Sequence, residues 1–463
     1  MDIRKFKGDR AFVKAALAVA IPLMLQQLIT SSVNLVDNLM VGQLGDAALG
    51  GVATTNRFYM IAIFSTFGIL AAAGIFIAQY YGAKDENHMK QSFRFSILSS
   101  YVVILPFAAL GLFRPDLVLS FFTDDAAIIA AGTQYISMAT FSFIPMALSL
   151  SIVSAMRSIG ETKIPLYVGI IAVLVNAFFN YALIFGHFGL PQLGVTGAGL
   201  ATLISRIVEV SILLVVMWVK PFPFTTRLDR MFEISPKIVR NVSIKAAPLA
   251  INELMWAFGM ATLFKFYATR GPEVISGISI SSTTADLFFT LFGGVAVATT
   301  VLVSQPLGAN KLDEARANGY KMLGMSVVMA ASFGVLMFIS SFIVPNFYNV
   351  SDEARHIAQT MLRIMSFMFW IYMGTAQCYF ILRAGGDTKS TLLMDSGFMW
   401  LVNIPVVAVL TYFTGFNVFA LYLAGQSTDF VKLAFSYSLV KKEKWVVNLT
   451  HEPDPLVIEV LES

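Results

Sequence analysis

The chain has 463 residues, 57% of them hydrophobic and only 13% charged, with 40 Phe and a mean hydropathy of +0.73. A soluble domain carries about 25% charged residues, so a water-soluble enzyme is excluded, and the continuous apolar stretches exclude the alternating strands of an outer-membrane barrel. Cys378 is the single cysteine and the four histidines are scattered, so neither a disulfide nor a His/Cys metal site is expected, and a net charge of +4 makes nucleic acid an unattractive partner.

A basic N-terminal segment leads straight into the first apolar stretch without the small-residue cleavage pattern of a signal peptide. About 20 apolar residues cross a bilayer. Reading the apolar stretches between charge clusters gives twelve spans, roughly 15–41, 48–80, 92–113, 127–155, 164–186, 195–219, 246–269, 274–303, 320–344, 357–382, 390–413 and 416–440. Most of the 32 basic residues fall at the N-terminus, in the loops after even-numbered spans and in the C-terminal tail, whereas the opposite side holds only Arg57, Arg114, Arg270 and Arg355. By the positive-inside rule both termini are expected in the cytoplasm of a multi-pass plasma-membrane protein.

The two halves overlay without a gap at a shift of 226 residues. Ala20–Leu23 falls on Ala246–Leu249, Pro22 on Pro248, and Gly45, Gly51 and Gly68 on Gly271, Gly277 and Gly294. "QYYGA" (Gln79–Ala83) falls on "QPLGA" (Gln305–Ala309), and "RSIGETK" (Arg157–Lys163) on "RAGGDTK" (Arg383–Lys389). A repeat of six spans, an even number, keeps both halves in the same orientation, so a parallel repeat about an axis along the membrane normal is expected. The expected fold is an all-α integral membrane protein of 12 transmembrane helices in two six-helix lobes: an N-lobe at 1–219, a basic cytoplasmic linker at 220–245, a C-lobe at 246–440 and a polar tail at 441–463. Such a duplicated bundle is the build of a secondary transporter. No Walker A motif offers an ATP site and no TVGYG run offers a pore filter. His88, His187, His356 and His451 lie in loops or the tail, which leaves no catalytic cluster for a membrane-embedded enzyme.

"VDNLMVGQLG" closing span 1, "QYYGAKD" after span 2, "RSIGETKIPLYVG" between spans 4 and 5, "NAFFNYALIFG" in span 5 and "LGVTGAGLAT" opening span 6 occur in the order and topology of one family. With the span count and the repeat, they make nearly the whole chain resemble the MATE (multidrug and toxic compound extrusion) transporters of prokaryotes. The resemblance implies a V-shaped pair of lobes that exports organic cations in exchange for protons or sodium ions, with no cofactor and no catalytic residue; we expect a monomer.

Charge inside a bilayer costs at least ~2.5–3.5 kcal/mol and needs a reason. Asp37 stands near the outer end of span 1, either as an interfacial acid or as a functional one. Asn176 and Asn180 share one face of span 5 at i,i+4 spacing. Asp37, Asn180 and Thr202 all fall in the outer half of their helices, and such a set could hold a proton or a hard cation. The resemblance implies that matching positions of spans 1, 5 and 6 form the N-lobe cation site. Some relatives carry a second Asp where Asn180 stands, so this chain favours a proton-only site, with sodium or mixed coupling as the alternative.

In the second half, Asp429 and Lys432 are i,i+3, as are Arg206 and Glu209 in span 6, and both are read as self-neutralising structural pairs. Glu253, Asp286 and Asp395 have no partner on their own helix and are the candidates for a C-lobe site. Sodium-type relatives carry acids in spans 7 and 10. Glu253 lies closer to its proline than that span-7 acid, and span 10 has no acid. Arg157 and Arg383 are read as cytoplasmic anchors outside the spans. Pro22 removes a helical hydrogen bond and kinks span 1; relatives whose first helix bends at a proline imply a hinge there. A lipid-linked or polysaccharide flippase of the same superfamily is the runner-up. Its anionic cargo calls for arginines in the spans, where acids outnumber bases here.

Overall fold

The computed structural model describes residues 3–348 and 350–450, with the side chains of all but 3 and 32–35. Among these residues twelve long helices follow one another: α1 Arg10–Gly42, α2 Asp46–Ala83, α3 Glu86–Phe113, α4 Ala126–Ser158, α5 Lys163–Phe185, α6 Gly194–Val219, α7 Pro236–Ala268, α8 Pro272–Gly308, α9 Leu312–Phe347, α10 Asp352–Ala384, α11 Thr388–Phe413 and α12 Val418–Lys441. The first eleven are long and apolar enough to cross a membrane. The last has the length, 24 residues, but carries Asp429 and Lys432 midway. A helix satisfies its own backbone polar groups, which hydrocarbon requires.

The helices begin earlier than the apolar stretches do at their basic ends, as in α3, α7 and α9. Caps explain part of this: Asp85 accepts the His88 backbone N–H at 3.1 Å ahead of α3, satisfying an orphan donor of the first turn. Residues 236–245, expected in the linker, are already helical.

The duplication reaches the backbone. Left-handed residues recur at the same 226-residue shift: Gly45 and Gly271, Lys84 and Asn310, Gly160 and Gly386. Asp125 and Ser351, also one shift apart, cap α4 and α10 through their side chains. π-Helical segments in two helices of the second half break the symmetry. Residues Thr300–Ser304 of α8 and Leu393–Gly397 with Met399–Asn403 of α11 are π-helical.

The chain divides into two compact units. One comprises residues 25–77 and 85–246, the other residues 1–24, 78–84 and 247–463. The lobe limits expected at 219 and 246 follow chain connectivity, whereas these units follow packing. The two helices that carry the repeated proline, α1 (Pro22) and α7 (Pro248), each begin in one unit and end in the other.

In the 25–246 unit, α3 packs on α4 and α5 on α6 around two apolar clusters, one of them holding Phe58, Ile104, Ile136, Phe143 and Met146. The segment read as a linker is built onto this unit. Phe224 is fully buried against Phe93, Arg94 donates to the Thr226 hydroxyl at 2.6 Å and the Glu233 carbonyl at 2.8 Å, and Gln91 accepts the Ser235 N–H at 2.8 Å.

In the other unit, α10 is central, packed on α8, α9 and α12. Here the duplicated Gln-x-x-Gly motifs cross. A methyl group on Gly82 would collide with the Gln305 carbonyl, and one on Gly308 with the Gln79 carbonyl. Only glycine allows two helix ends to approach backbone to backbone in this way. The tail is docked here as well. Trp445 is fully buried, its indole N–H donates to the Val440 carbonyl at 2.9 Å, and its ring and carbonyl fill the space above Gly319 and Gly385. Gln79 accepts the Leu449 N–H at 2.7 Å, and Arg316 pairs with Glu443 at 2.8 Å. Residues 451–463 of the tail lie outside the described residues.

Candidate functional site

Asp37 is half-buried near the C-terminal end of α1 and faces α5. Asn180, 3% exposed, donates its amide to Asp37 Oδ1 at 2.8 Å and to Asn176 Oδ1 at 3.3 Å. The i,i+4 spacing places both amides on one stripe of α5. Among the described residues, the buried Asn180 Oδ1 atom has no donor. A buried acceptor without a partner costs about 1–3 kcal/mol, so the cluster as it stands is one hydrogen short. A protonated carboxyl supplies an O–H, which a carboxylate cannot.

Thr202 is not a direct partner of Asp37. It donates to the Ala198 carbonyl at 3.1 Å and meets the Tyr135 hydroxyl at 3.4 Å. Tyr135 in turn lies within electrostatic range of Asp37. Tyr59 donates to the Ala139 carbonyl and lies 2.7 Å from Ser142 Oγ. The two tyrosines extend the polar cluster toward α4 and α2, and sequence reasoning missed them because aromatic residues in spans are usually packing. A cavity of about 440 Å³ adjoins the site, lined by Val36, Leu39, Met40 and Gln43 of α1 and by Tyr181, Phe185 and His187. Arg206 pairs with Glu209 at 2.7 Å on α6, the own-helix neutralisation expected. Arg157 and Arg383, expected outside the spans, stand in the last turns of α4 and α10. Arg157 donates to Gln26 Oε1 at 3.2 Å, and its Nε is buried without a partner among the described residues.

Among the three second-half candidates, only Asp395 is held directly. Lys432 Nζ lies 2.8 Å from its Oδ1, and Asn252 of α7 donates to its Oδ2 at 3.0 Å. Asn252 also accepts from Ser396, through both N–H and hydroxyl. Lys432 therefore makes its direct ion pair with Asp395, on the π-helical turn of α11, while still facing Asp429 one turn away on its own helix. Glu253 is half-buried within electrostatic range of Arg383 and Asp395. Asp286 is exposed on α8, and among the described residues only its backbone carbonyl is hydrogen-bonded, by Thr290. Asn252 and Lys432 were legible through the repeat, since they stand one shift from Gln26 and Arg206. Among the described residues no group of three His, Cys, Asp or Glu side chains is placed to hold a metal ion.

Twelve helices in a duplicated frame, with ionisable groups sparse along them, have the build of a multi-pass membrane transporter rather than an enzyme. Residues 22–182 and 248–409 each match the MatE family, the two matches beginning one repeat shift apart, and the chain belongs to that family. Curated relatives include "Probable multidrug resistance protein NorM" of Halalkalibacterium halodurans, 24% identical over 92% of this chain and 93% of its own. "Probable multidrug resistance protein YoeA" of Bacillus subtilis is 22% identical over 93% and 94%. Among solved structures, a Vibrio cholerae MATE transporter, VcmN, superposes with a TM-score of 0.84 at 16% identity, covering 94% of this chain and 98% of its own. A MOP superfamily transporter from Pyrococcus furiosus gives 0.84 at 16% over 95% and 97%. These likenesses establish the MATE fold.

Proposed function

We propose that this protein exports lipophilic organic cations from the cytoplasm in exchange for external protons, with both termini cytoplasmic and Asp37 carrying the coupling proton. The family and the multidrug names of its relatives support the cargo class. The observation that carries the coupling is the orphaned Asn180 Oδ1 beside Asp37. Protonation turns Asp37 into a donor and so changes which partners the Asn176–Asn180 pair can satisfy. One carboxylate with two amides suits a proton better than a hard cation, which takes six or more oxygen ligands when it is calcium or magnesium.

In this reading Asp37 takes a proton from the outer side. Hydrogen bonds among Asp37, Asn176 and Asn180 then rearrange, with Tyr135 and Thr202 as the next partners. The second half of α1 repacks about Pro22, the cavity shrinks and the cation leaves outward. Return to the inward state releases the proton. Asp37→Asn preserves shape but cannot cycle. Reconstituted in vesicles, it should lose uphill dye transport under an imposed pH gradient while reaching the membrane folded. Undiminished pH-driven transport by this variant would move the coupling proton elsewhere, Glu253 being next. Repeating the assay under a sodium gradient separates the two ions.

A further inference from the structure

Arg363 stands about three turns into α10, inside the tenth apolar stretch. Among the described residues no hydrogen bond or ion pair reaches its guanidinium, and its Nε is buried. The guanidinium lies over the Phe342 ring of α9, with Cζ 4.5 Å from the centroid. From there a ladder of rings runs along the seam between α9 and α10. Phe342 meets Phe338 edge to face at 5.3 Å, and Phe338 meets Phe367 edge to face at 5.7 Å. The outer faces of the ladder are open: Phe342 is 49% exposed and Phe367 70%. The repeat does not demand this cation, since Ser137 stands one shift away.

An arginine inside a span is costly unless it meets counter-charge or polar groups. One aromatic face replaces only part of the hydration that a guanidinium gives up. On α10 the Cα–Cβ bond tilts toward the helix start. The long side chain therefore reaches toward the α9–α10 loop and the nearer membrane surface. What a bilayer offers at that level is phospholipid heads. The planar guanidinium fork matches two oxygens of a phosphate. A zwitterionic head brings its own ammonium and leaves the charge of Arg363 uncompensated, whereas an anionic head neutralises it. We propose that Arg363, Phe342, Phe338 and Phe367 form the site of one anionic phospholipid, its phosphodiester on the guanidinium and an acyl chain along the exposed rings. The α9–α10 loop follows an odd number of spans, so the site belongs to the leaflet opposite the N-terminus. This assignment does not rest on the export reading.

The test is native mass spectrometry of the delipidated full-length protein in detergent, titrated with dioleoylphosphatidylglycerol or dioleoylphosphatidylcholine. Wild type should retain one phosphatidylglycerol about tenfold more tightly than phosphatidylcholine, and free glycerol 1-phosphate should not displace it. Arg363→Gln should lose about tenfold in phosphatidylglycerol affinity and Phe367→Ala about threefold. Arg114→Gln, a cation on an exposed segment 3.7 Å from Asp116, should match wild type. If Arg363→Gln does not purify folded, the wild-type head-group comparison and Phe367→Ala, at an exposed position, still decide. Equal retention of the two lipids by wild type would overturn the assignment, as would undiminished binding by folded Arg363→Gln. Displacement by glycerol 1-phosphate would replace the lipid with a free phosphate. A lipid-free dimer that Arg363→Gln dissociates would put a second copy of the chain on this seam and equally overturn it.

Discussion

Lys432 has two carboxylates in reach, Asp429 on its own helix and Asp395 on α11, and bonds the second at 2.8 Å. The choice has an energetic consequence. With 13% and 22% of their side chains exposed, the partners of the Lys432–Asp395 pair have given up most of their water. Removing one partner of such a pair costs about 3–5 kcal/mol, whereas replacing both with neutral groups is nearly free. Lys432→Met should therefore lower the thermal midpoint of the detergent-purified protein clearly, and adding Asp395→Asn should restore most of it. A midpoint unchanged in the single variant would mean that the pair is solvated. At the other site, Asn180→Ala should weaken pH-driven efflux less than Asp37→Asn, because an amide orients the coupling group without carrying charge. Equal losses, read as initial rates of dye efflux, would make Asn180 as indispensable as the acid.

At the scale of elements, glycines and one tryptophan hold the crossing of the repeats. Gly82 and Gly308 each present bare backbone to the opposite motif's glutamine carbonyl. Gly308→Val has no space at that contact, and its bulk must separate the two helix ends; overpacking of this kind costs about 1–3 kcal/mol. Trp445 is the largest fully buried side chain among the described residues, and Trp445→Ala should cost about 3–5 kcal/mol. Both variants should show lowered midpoints in thermal denaturation followed by tryptophan fluorescence or light scattering. A Trp445→Ala protein as stable as wild type would show that the docked tail adds nothing. The α11 π-helical turns belong to the same scale. Such segments are rare and concentrate at functional sites, and this one sets the rotation that presents Asp395 to α7 and α12.

For the whole molecule, two proline-bearing helices, α1 and α7, each begin in one compact unit and end in the other, and a rocking of the duplicated halves would bend them there. Alternating access by rocking of duplicated halves is a general transporter device. Cysteines introduced at the outer ends of α1 and α7 should, once cross-linked, stop dye efflux, and reduction should restore it. The native Cys378 is buried and should not interfere. Full efflux by quantitatively cross-linked protein would exclude a motion that separates those ends.

Span number, repeat and family motifs are all legible along the chain, because a bilayer tests each segment separately for length and apolarity and because a duplication leaves a constant offset. That offset of 226 residues also pairs the left-handed turns and helix caps of one half with those of the other. The shared face of Asn176 and Asn180 was readable from i,i+4 spacing and their common depth with Asp37 from counting along helices, whereas their meeting with Asp37 was only implied by the family resemblance. Which charges meet was not readable. Spacing on one helix points Lys432 to Asp429, but the direct ion pair goes to Asp395 on the π-helical turn of α11. Thr202 likewise shares the depth of Asp37 yet turns to Tyr135. The polar tail hid a buried tryptophan, because a single aromatic residue among charges has no periodicity to announce its burial. Composition and period decide what enters the membrane; helix rotation and crossing, set by side chains far apart in the chain, decide which polar groups find one another there.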